Sequence, residues 1–179
     1  MSRIIGLTGM PLAGKDSIAH YLVERHGFTY ISLSDMLRDY ITEHGLGPTS
    51  REVEHRVGNQ LREKHGAEYL MRRALGSDAE KLVTGSVRTM GETKLLKQQG
   101  GELWCVTASD DLRYQRALAR KRPGDEVSRD QFVGIETKEM RNPNPKAQNM
   151  SAVMAAADRT VENNGNLSAL QRTVDGWLS

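Results

Sequence analysis

Gly9, Gly14 and Lys15 stand in the run GMPLAGK, a match to G-x-x-x-x-G-K placed between an apolar run, Ile4 to Leu7, and a helical one carrying Ile18, Ala19, Leu22 and Val23. Glycines at this spacing permit a tight turn that aims successive backbone N–H groups inward. The following helix adds the positive end of its dipole, and the lysine adds a full charge. That is the chemistry of a cradle for a nucleoside triphosphate, with Lys15 reaching the β/γ-phosphates. The plain alternative is a glycine-containing turn followed by a surface lysine, and the flanking strand and helix argue against it. Gly9, Pro11, Ala13, Gly14, Lys15, Asp16 and Ser17 are the candidate donor-binding residues. Asp16 occupies the place after the lysine where Ser or Thr is usual, and Ser17 comes one step late. Hard cations take oxygen ligands, so Asp16 and Ser17 are the candidates for Mg²⁺, although a carboxylate there also repels phosphate.

The elements that must position this loop are legible in the periodicity. Phe28 to Ile31, Lys81 to Gly85, Leu103 to Ala108 and Arg159 to Glu162 read as further strands. Helices are expected over Leu33 to Glu43, from Ser50 to Gly66, over Ala67 to Leu75, and near Glu92 to Gln99. Others are expected over Asp110 to Lys121, Arg129 to Met140, Ser151 to Ala157 and Leu167 to Leu178, with NPNPK as a loop. Strands alternating with helices predict a parallel sheet covered on both faces.

Composition limits the rest. A chain of 179 residues predicts one domain, and 37% hydrophobic residues with 17 Gly is an ordinary globular balance. No apolar stretch is long enough to span a bilayer and no signal-peptide h-region opens the chain, so a soluble cytoplasmic protein is expected. The single cysteine, Cys105, excludes an internal disulfide or a cysteine-based metal site. With Trp104 it belongs to a core strand. Lys and Arg number 25 against 23 Asp and Glu, too balanced for nucleic-acid binding over the whole surface. The densest basic run, RYQRALARKR at Arg113 to Arg122, is either a solvated helix face or a local contact. Glu92 and the histidines 20, 26, 44, 55 and 65 show no ligand spacing and read as surface or packing residues. No N-K-x-D guanine-reading motif occurs, which lowers a GTPase reading.

Four segments carry a resemblance. ISLSDMLR at Ile31 to Arg38 resembles the adenylate kinase segment ISTGDMLR, and VTGSVRT at Val83 to Thr89 is similar to that family's LDGFPRT. DDLRYQRALAR at Asp110 to Arg120 looks like the helix leading into its lid, and RPGDE from Arg122 looks like a very short lid at about 120–128. With the phosphate loop they follow the family's order over Gly9 to Glu126. The resemblance implies Arg38 and Arg88 on the acceptor's phosphate, Arg116 on the donor base and Arg120 on the donor phosphates. Lys15, Arg120 and Arg122 are then the catalytic candidates. Physical chemistry agrees: two polyanions approach for in-line transfer only with fixed cations between them, and arginine binds phosphate bidentately while staying charged. Arg38 or Arg88 taken singly is more often a surface ion-pair partner; the motif context favours phosphate binding. Asp35 is either a helix N-cap or a carboxylate that orients a ligand. Leu33 replaces a threonine that helps read the acceptor base, and Thr84 replaces an acidic residue of the Mg²⁺ shell. AADRTVENNGNLSAL at Ala156 to Leu170 resembles dephospho-coenzyme A kinases and phage deoxynucleoside monophosphate kinases. LGPTSREVEHRVGNQLREKHG at Leu46 to Gly66 resembles a widespread group of prokaryotic P-loop kinases.

The expectation is a single α/β domain over 1–179, a three-layer P-loop NTPase sandwich. It has a five-stranded parallel sheet, a helical acceptor-binding region at about 33–75 and the short lid. The expected activity is transfer of the γ-phosphoryl group of ATP, with Mg²⁺, to a nucleoside or deoxynucleoside monophosphate, by a monomer or homodimer. A dephospho-coenzyme A kinase is the alternative within this chemistry. A regulatory or nucleic-acid-associated ATPase, using the basic run, is the alternative outside it.

Overall fold

Strands apolar on both faces are stable only between two layers of helix. The computed structural model describes residues 3–120, 128–140, 144 and 146–179, with the backbone alone at 135, 138 and 139. Its sheet holds β1 (Arg3–Thr8), β2 (Thr29–Ser32), β3 (Lys81–Gly85), β4 (Glu102–Thr107) and β5 (Arg159–Glu162). All are parallel, in the order β2-β3-β1-β4-β5. The expected five-stranded parallel sandwich is therefore present. Register pairs Ile5 with Val83 on one side and Glu102 on the other, which leaves β1 central and covered by neighbours along both edges.

Side chains alternate across β1 and so divide the core. Ile5 and Leu7 face α1 (Lys15–His26) and α9 (Leu167–Leu178), packing with Ile18, Leu22, Trp104, Val106, Leu170 and Val174. The opposite face meets α2 (Leu33–Glu43), α3 (Arg51–His65), α4 (Tyr69–Leu75), α5 (Met90–Gln98) and α8 (Met150–Ala155) through Leu37, Ile41, Leu61, Met71, Leu96 and Val153. Gly6 points to that face, and a Cβ there would lie 2.4 Å from Leu96 Cδ2, so the missing side chain lets α5 approach the strand. Beyond β4, α6 (Asp110–Arg120) and α7 (Arg129–Met140) are joined by Arg113 and Glu136, both buried.

Local signals set the helix ends. Ser50 Oγ accepts from Val53 N–H, and Thr89 with Glu92 forms a reciprocal capping box, so the helix expected near Glu92 begins at Met90. Strands β2 and β3 lie to one side of β1 and β4 and β5 to the other. The C-terminal end of β1 is therefore the point where the connections diverge, and in open α/β sheets that crevice takes ligands.

Candidate functional site

The loop between β1 and α1 is fixed by close approaches that only glycine allows. Gly9 has φ +124 and a Cβ there would stand 2.0 Å from the Val106 carbonyl oxygen. Gly14 has φ +108, and its Cβ would stand 2.1 Å from Asn163 Nδ2. Gly14 is also the N-cap of α1 and offers no side-chain cap, so the first turn of the helix faces the loop with main-chain donors alone. Lys15 Nζ donates to the carbonyls of Gly9 at 2.8 Å and Met10 at 2.9 Å, which holds the ammonium across the loop.

A cleft of about 400 Å³ opens beside this loop. Leu12, Gly14, Lys15, Asp16 and Ser17 form one wall, and Arg116 and Arg120 of α6 another. Asn163, Gly165, Leu167 and Leu170 close it. Of the donor-site candidates, Gly14, Lys15, Asp16, Ser17, Arg116 and Arg120 thus share one space. Gly9, Pro11 and Ala13 belong to the loop but not to that wall. Arg122 and almost all of the expected lid lie outside the described residues.

Within the described part of the basic run Arg113 is buried and Arg116 half-buried, whereas Arg120 is exposed. Arg113 is 4% exposed, pairs with Glu136 and donates to Asp110 Oδ1 at 2.6 Å. Arg116 donates to Leu12 O at 2.9 Å and to Asn163 O at 3.1 Å, tying the phosphate loop to the segment after β5. Asn163, 7% exposed, donates from Nδ2 to Ala13 O at 2.8 Å. No motif marks Asn163 in the sequence; its only local signal is a polar pair, Asn163 and Asn164, directly after a strand.

Asp16 and Ser17 are exposed at the cleft mouth, and Asp16 Oδ1 accepts from Tyr30 Oη at 3.1 Å. Burial, followed by the charge of Asp16, pushes the Tyr30 phenol well above its ordinary pKa, so it remains a donor to that carboxylate. Thr84 is fully buried in β3 and its Oγ1 has no hydrogen-bond partner. Among the described residues no three or more of His, Cys, Asp and Glu group as for a metal cage. The donor set available to a cation here is one carboxylate and one hydroxyl, which suits Mg²⁺ because that ion keeps waters and shares substrate phosphates.

A second and far smaller cleft, of about 20 Å³, lies on the β3 side of β1, between α2, α3 and the connection after β3. Leu33, Ser34 and Leu37 come from α2, and Arg51, Glu54, His55 and Arg62 from α3. Ser86, Arg88 and Gln148 complete the wall with Leu70. Arg88 is held at both ends: its Nη1 donates to Gln148 Oε1 at 3.2 Å and its carbonyl accepts from Asn149 N–H at 3.0 Å. Arg38 is not in the wall. Its guanidinium pairs with Asp35 and donates to Glu54 Oε1 at 3.2 Å, which places it behind a lining residue. The N-cap alternative for Asp35 is overturned, since Ser32 caps α2 and its Oγ accepts from Asp35 N–H at 3.1 Å.

Arg51, His55 and Arg62 were missed. Positions 51, 54, 55, 58 and 62 form a stripe along α3 beside the apolar one of Val53, Val57 and Leu61, and the periodicity that revealed the helix followed the apolar stripe alone. Of the two readings of Glu92 the surface one is overturned: it is 0% exposed and ion-paired to Arg62, itself 2% exposed. Leu12 and Ser86 have left-handed φ of 64 and 66, the only non-glycine cases among the described residues, and one lines each cleft. Backbone strain of this kind persists where surrounding structure enforces it, and it concentrates at functional sites.

The family described as AAA domain matches residues 5–141. A UPF0200 protein of Pyrobaculum aerophilum is 30% identical over 145 residues, covering 79% of each chain. One from Methanococcus maripaludis is 28% identical, covering 98% of this chain and 96% of its own. Among solved structures, TT1252 from Thermus thermophilus superposes with TM-score 0.62 at 20% identity, over 99% of this chain and 96% of its own. Shikimate kinase from Acinetobacter baumannii in complex with shikimate gives 0.60 at 18%, over 99% and 93%. Those two likenesses speak for the fold, a P-loop kinase sandwich. No helix among the described residues is long and apolar enough to cross a membrane. By the match over most of its length and by its relatives, the chain belongs to the AAA domain family and to the UPF0200 proteins, with the P-loop kinase architecture.

Proposed function

We propose that the protein is an ATP-dependent kinase that phosphorylates a nucleoside or deoxynucleoside monophosphate. The observation that carries this reading is the pair of clefts flanking one phosphate loop. The donor side is lined by Lys15, Arg116 and Arg120, and the other side by Arg51, Arg62 and Arg88. Cations on both sides of a transfer point are what two polyanions require, and a hydrolase acting on water has no use for the second set. The helical region 33–75 is assigned to the acceptor, and the whole chain to one cytoplasmic kinase domain.

In this reading the loop N–H groups and Lys15 hold the β- and γ-phosphates of ATP. Arg116 braces the loop against Asn163, and Arg120 reaches the donor phosphates. An oxygen of the acceptor's phosphate attacks the γ-phosphorus as the bond to the bridging oxygen of ADP breaks, giving a nucleoside diphosphate and ADP. Asp16 and Ser17 would hold Mg²⁺, which would supply positive charge against the negative charge developing on the transferring phosphoryl group. Tyr30 keeps the Asp16 carboxylate directed by its hydrogen bond.

Leu33 is 1% exposed and lies in the acceptor wall. An apolar group there offers a base no hydrogen bond, which argues for an acceptor other than AMP. The segment resembling dephospho-coenzyme A kinases, 156–170, contributes Asn163, Gly165, Leu167 and Leu170 to the donor cleft. It therefore bears on how ATP is held and leaves the acceptor to the helical region. ADP release from ATP and Mg²⁺ with purified protein, measured against all ribo- and deoxyribonucleoside monophosphates and dephospho-coenzyme A, tests the reading. A monophosphate other than AMP is expected as best acceptor. AMP as best acceptor removes the argument from Leu33, dephospho-coenzyme A alone moves the assignment to that kinase, and turnover stimulated only by DNA or RNA replaces it by a nucleic-acid-dependent ATPase.

A further inference from the structure

Glu92 has two carboxylate oxygens with separate partners. Oε1 accepts from Arg62 Nε at 3.2 Å and Nη2 at 3.0 Å. Oε2 accepts from the main-chain N–H of Arg88 at 2.8 Å and of Thr89 at 3.1 Å. One buried carboxylate on α5 thus fixes two arginines of the same cleft, one from α3 and one from the connection after β3. The remaining Arg62 donor, Nη1, is buried without a hydrogen-bond partner in a residue 2% exposed. Leaving a buried donor unsatisfied is costly, and a purely structural ion pair gains nothing from carrying that cost. Gly58, one turn earlier, lets Nη1 and Leu37 pack against the helix backbone: a Cβ there would stand 3.0 Å from Nη1 and 3.1 Å from Leu37 Cδ2.

We propose that Arg62 is a specificity-determining ligand for the phosphate of the acceptor, with Glu92 as the positioning residue that sets Arg62 and Arg88 around one phosphomonoester. The inference rests on reading this cleft as the acceptor site. Arg62 lies outside the motif arginines, and the motif arginine Arg38 donates to Asp35 and Glu54 instead. Because Glu92 already offsets its charge, Arg62 contributes a directed N–H donor more than net attraction. It therefore favours an acceptor with a phosphate oxygen at this point over one that presents only hydroxyl groups.

With the phosphate loop filled by a non-hydrolysable ATP analogue and Mg²⁺, calorimetric titration of inorganic phosphate and of nucleoside monophosphates reads the second site alone. Arg62→Lys keeps a charge opposite Glu92 while removing Nη1, and Glu92→Gln keeps the shape while removing the charge. Arg62→Lys is expected to weaken phosphate and nucleotide binding about 10- to 100-fold with affinity for the ATP analogue unchanged. Glu92→Gln is expected to weaken them less. Gly58→Ala leaves both charges, favours the helix and crowds Nη1, so it gives the same selective loss if the charge variants do not fold. Unchanged binding of phosphate and monophosphates in Arg62→Lys and Gly58→Ala overturns the proposal, as does an equal loss of the ATP analogue. The ADP-release panel on the unaltered protein judges the kinase reading separately, so turnover of a monophosphate together with unchanged binding in the variants removes Arg62 alone.

Discussion

Asn163 stands against Gly14: its side-chain amide fills the place a Cβ would take, 2.1 Å away, while donating to Ala13 O at 2.8 Å. The glycine-rich loop is therefore shaped by a residue from the far end of the chain, and this contact bars a side chain at Gly14 for a reason beyond its φ.

Gly14→Ala meets both obstacles, a left-handed backbone worth about 1–2 kcal/mol against it and the Asn163 amide. ATP binding is expected to be lost in that variant, whereas Asn163→Ala should raise the KM for ATP with the acceptor KM unchanged. Gly14→Ala with normal ATP affinity by calorimetry would show that the loop tolerates displacement.

Lys15→Ala removes the charge nearest the transferring group while the loop glycines keep their geometry. A loss of about 10²–10³ in kcat is expected, by analogy with removal of a single oxyanion donor, with the circular dichroism and Tm of the parent. Near-normal turnover would end the assignment of the phosphate loop.

Asp16 is the one carboxylate among the described residues that line the cleft beside the phosphate loop. Asp16→Ala should raise the Mg²⁺ concentration for half-maximal rate, and Tyr30→Phe, which removes the hydrogen bond to Asp16, should do so by a smaller factor. A Mg²⁺ titration identical to the parent's would make Asp16 a helix-start residue and no more.

Arg88 lines the cleft proposed for the acceptor, and Arg38 sits behind Glu54. Arg88→Ala is expected to raise the acceptor KM about 10- to 100-fold, from loss of a charge-assisted hydrogen bond. Arg38→Ala should have a smaller effect of the same kind. A KM increase that fell on ATP would exchange the two clefts.

Asp158 closes the edge of β4 by accepting from Leu103 N–H at 2.7 Å and from Lys97 Nζ at 2.8 Å. Partial burial raises its pKa, but the Leu103 N–H, Lys97 and Arg159 outweigh it and hold the carboxyl below its ordinary value. A depressed folded-state pKa stabilises above the unfolded value, about 3.9, and the contribution disappears as pH falls through the folded value. Asp158→Asn should therefore lower Tm at neutral pH, by an effect under about 1 kcal/mol for so exposed a pair, and match the parent in strong acid. A difference in Tm that persists unchanged to pH values well below that range would show that charge is not what the carboxylate contributes.

What the sequence determined by itself was everything that depends on neighbours along the chain. The phosphate loop is seven consecutive residues between a strand and a helix, so its chemistry is complete locally, and the strand and helix periods needed no partner to be recognised. The caps at Ser50 and Thr89 are of the same kind. The roles of the arginines are not. Whether a guanidinium reaches a cleft depends on which carboxylates lie within its reach: Glu92 is 30 residues from Arg62, and Arg38 pairs with Glu54, 16 residues away, as well as with its helix neighbour Asp35. Asn163 comes to Ala13 across 150 residues because β5 and β1 end at the same edge of the sheet. Helix α3 gave its apolar stripe to periodicity, but which neighbour faced its polar stripe was settled only when α2, α5 and the connection after β3 packed around it. Burial of an ion such as Glu92 is tolerated only with its partners in place, and those partners exist only in the folded chain.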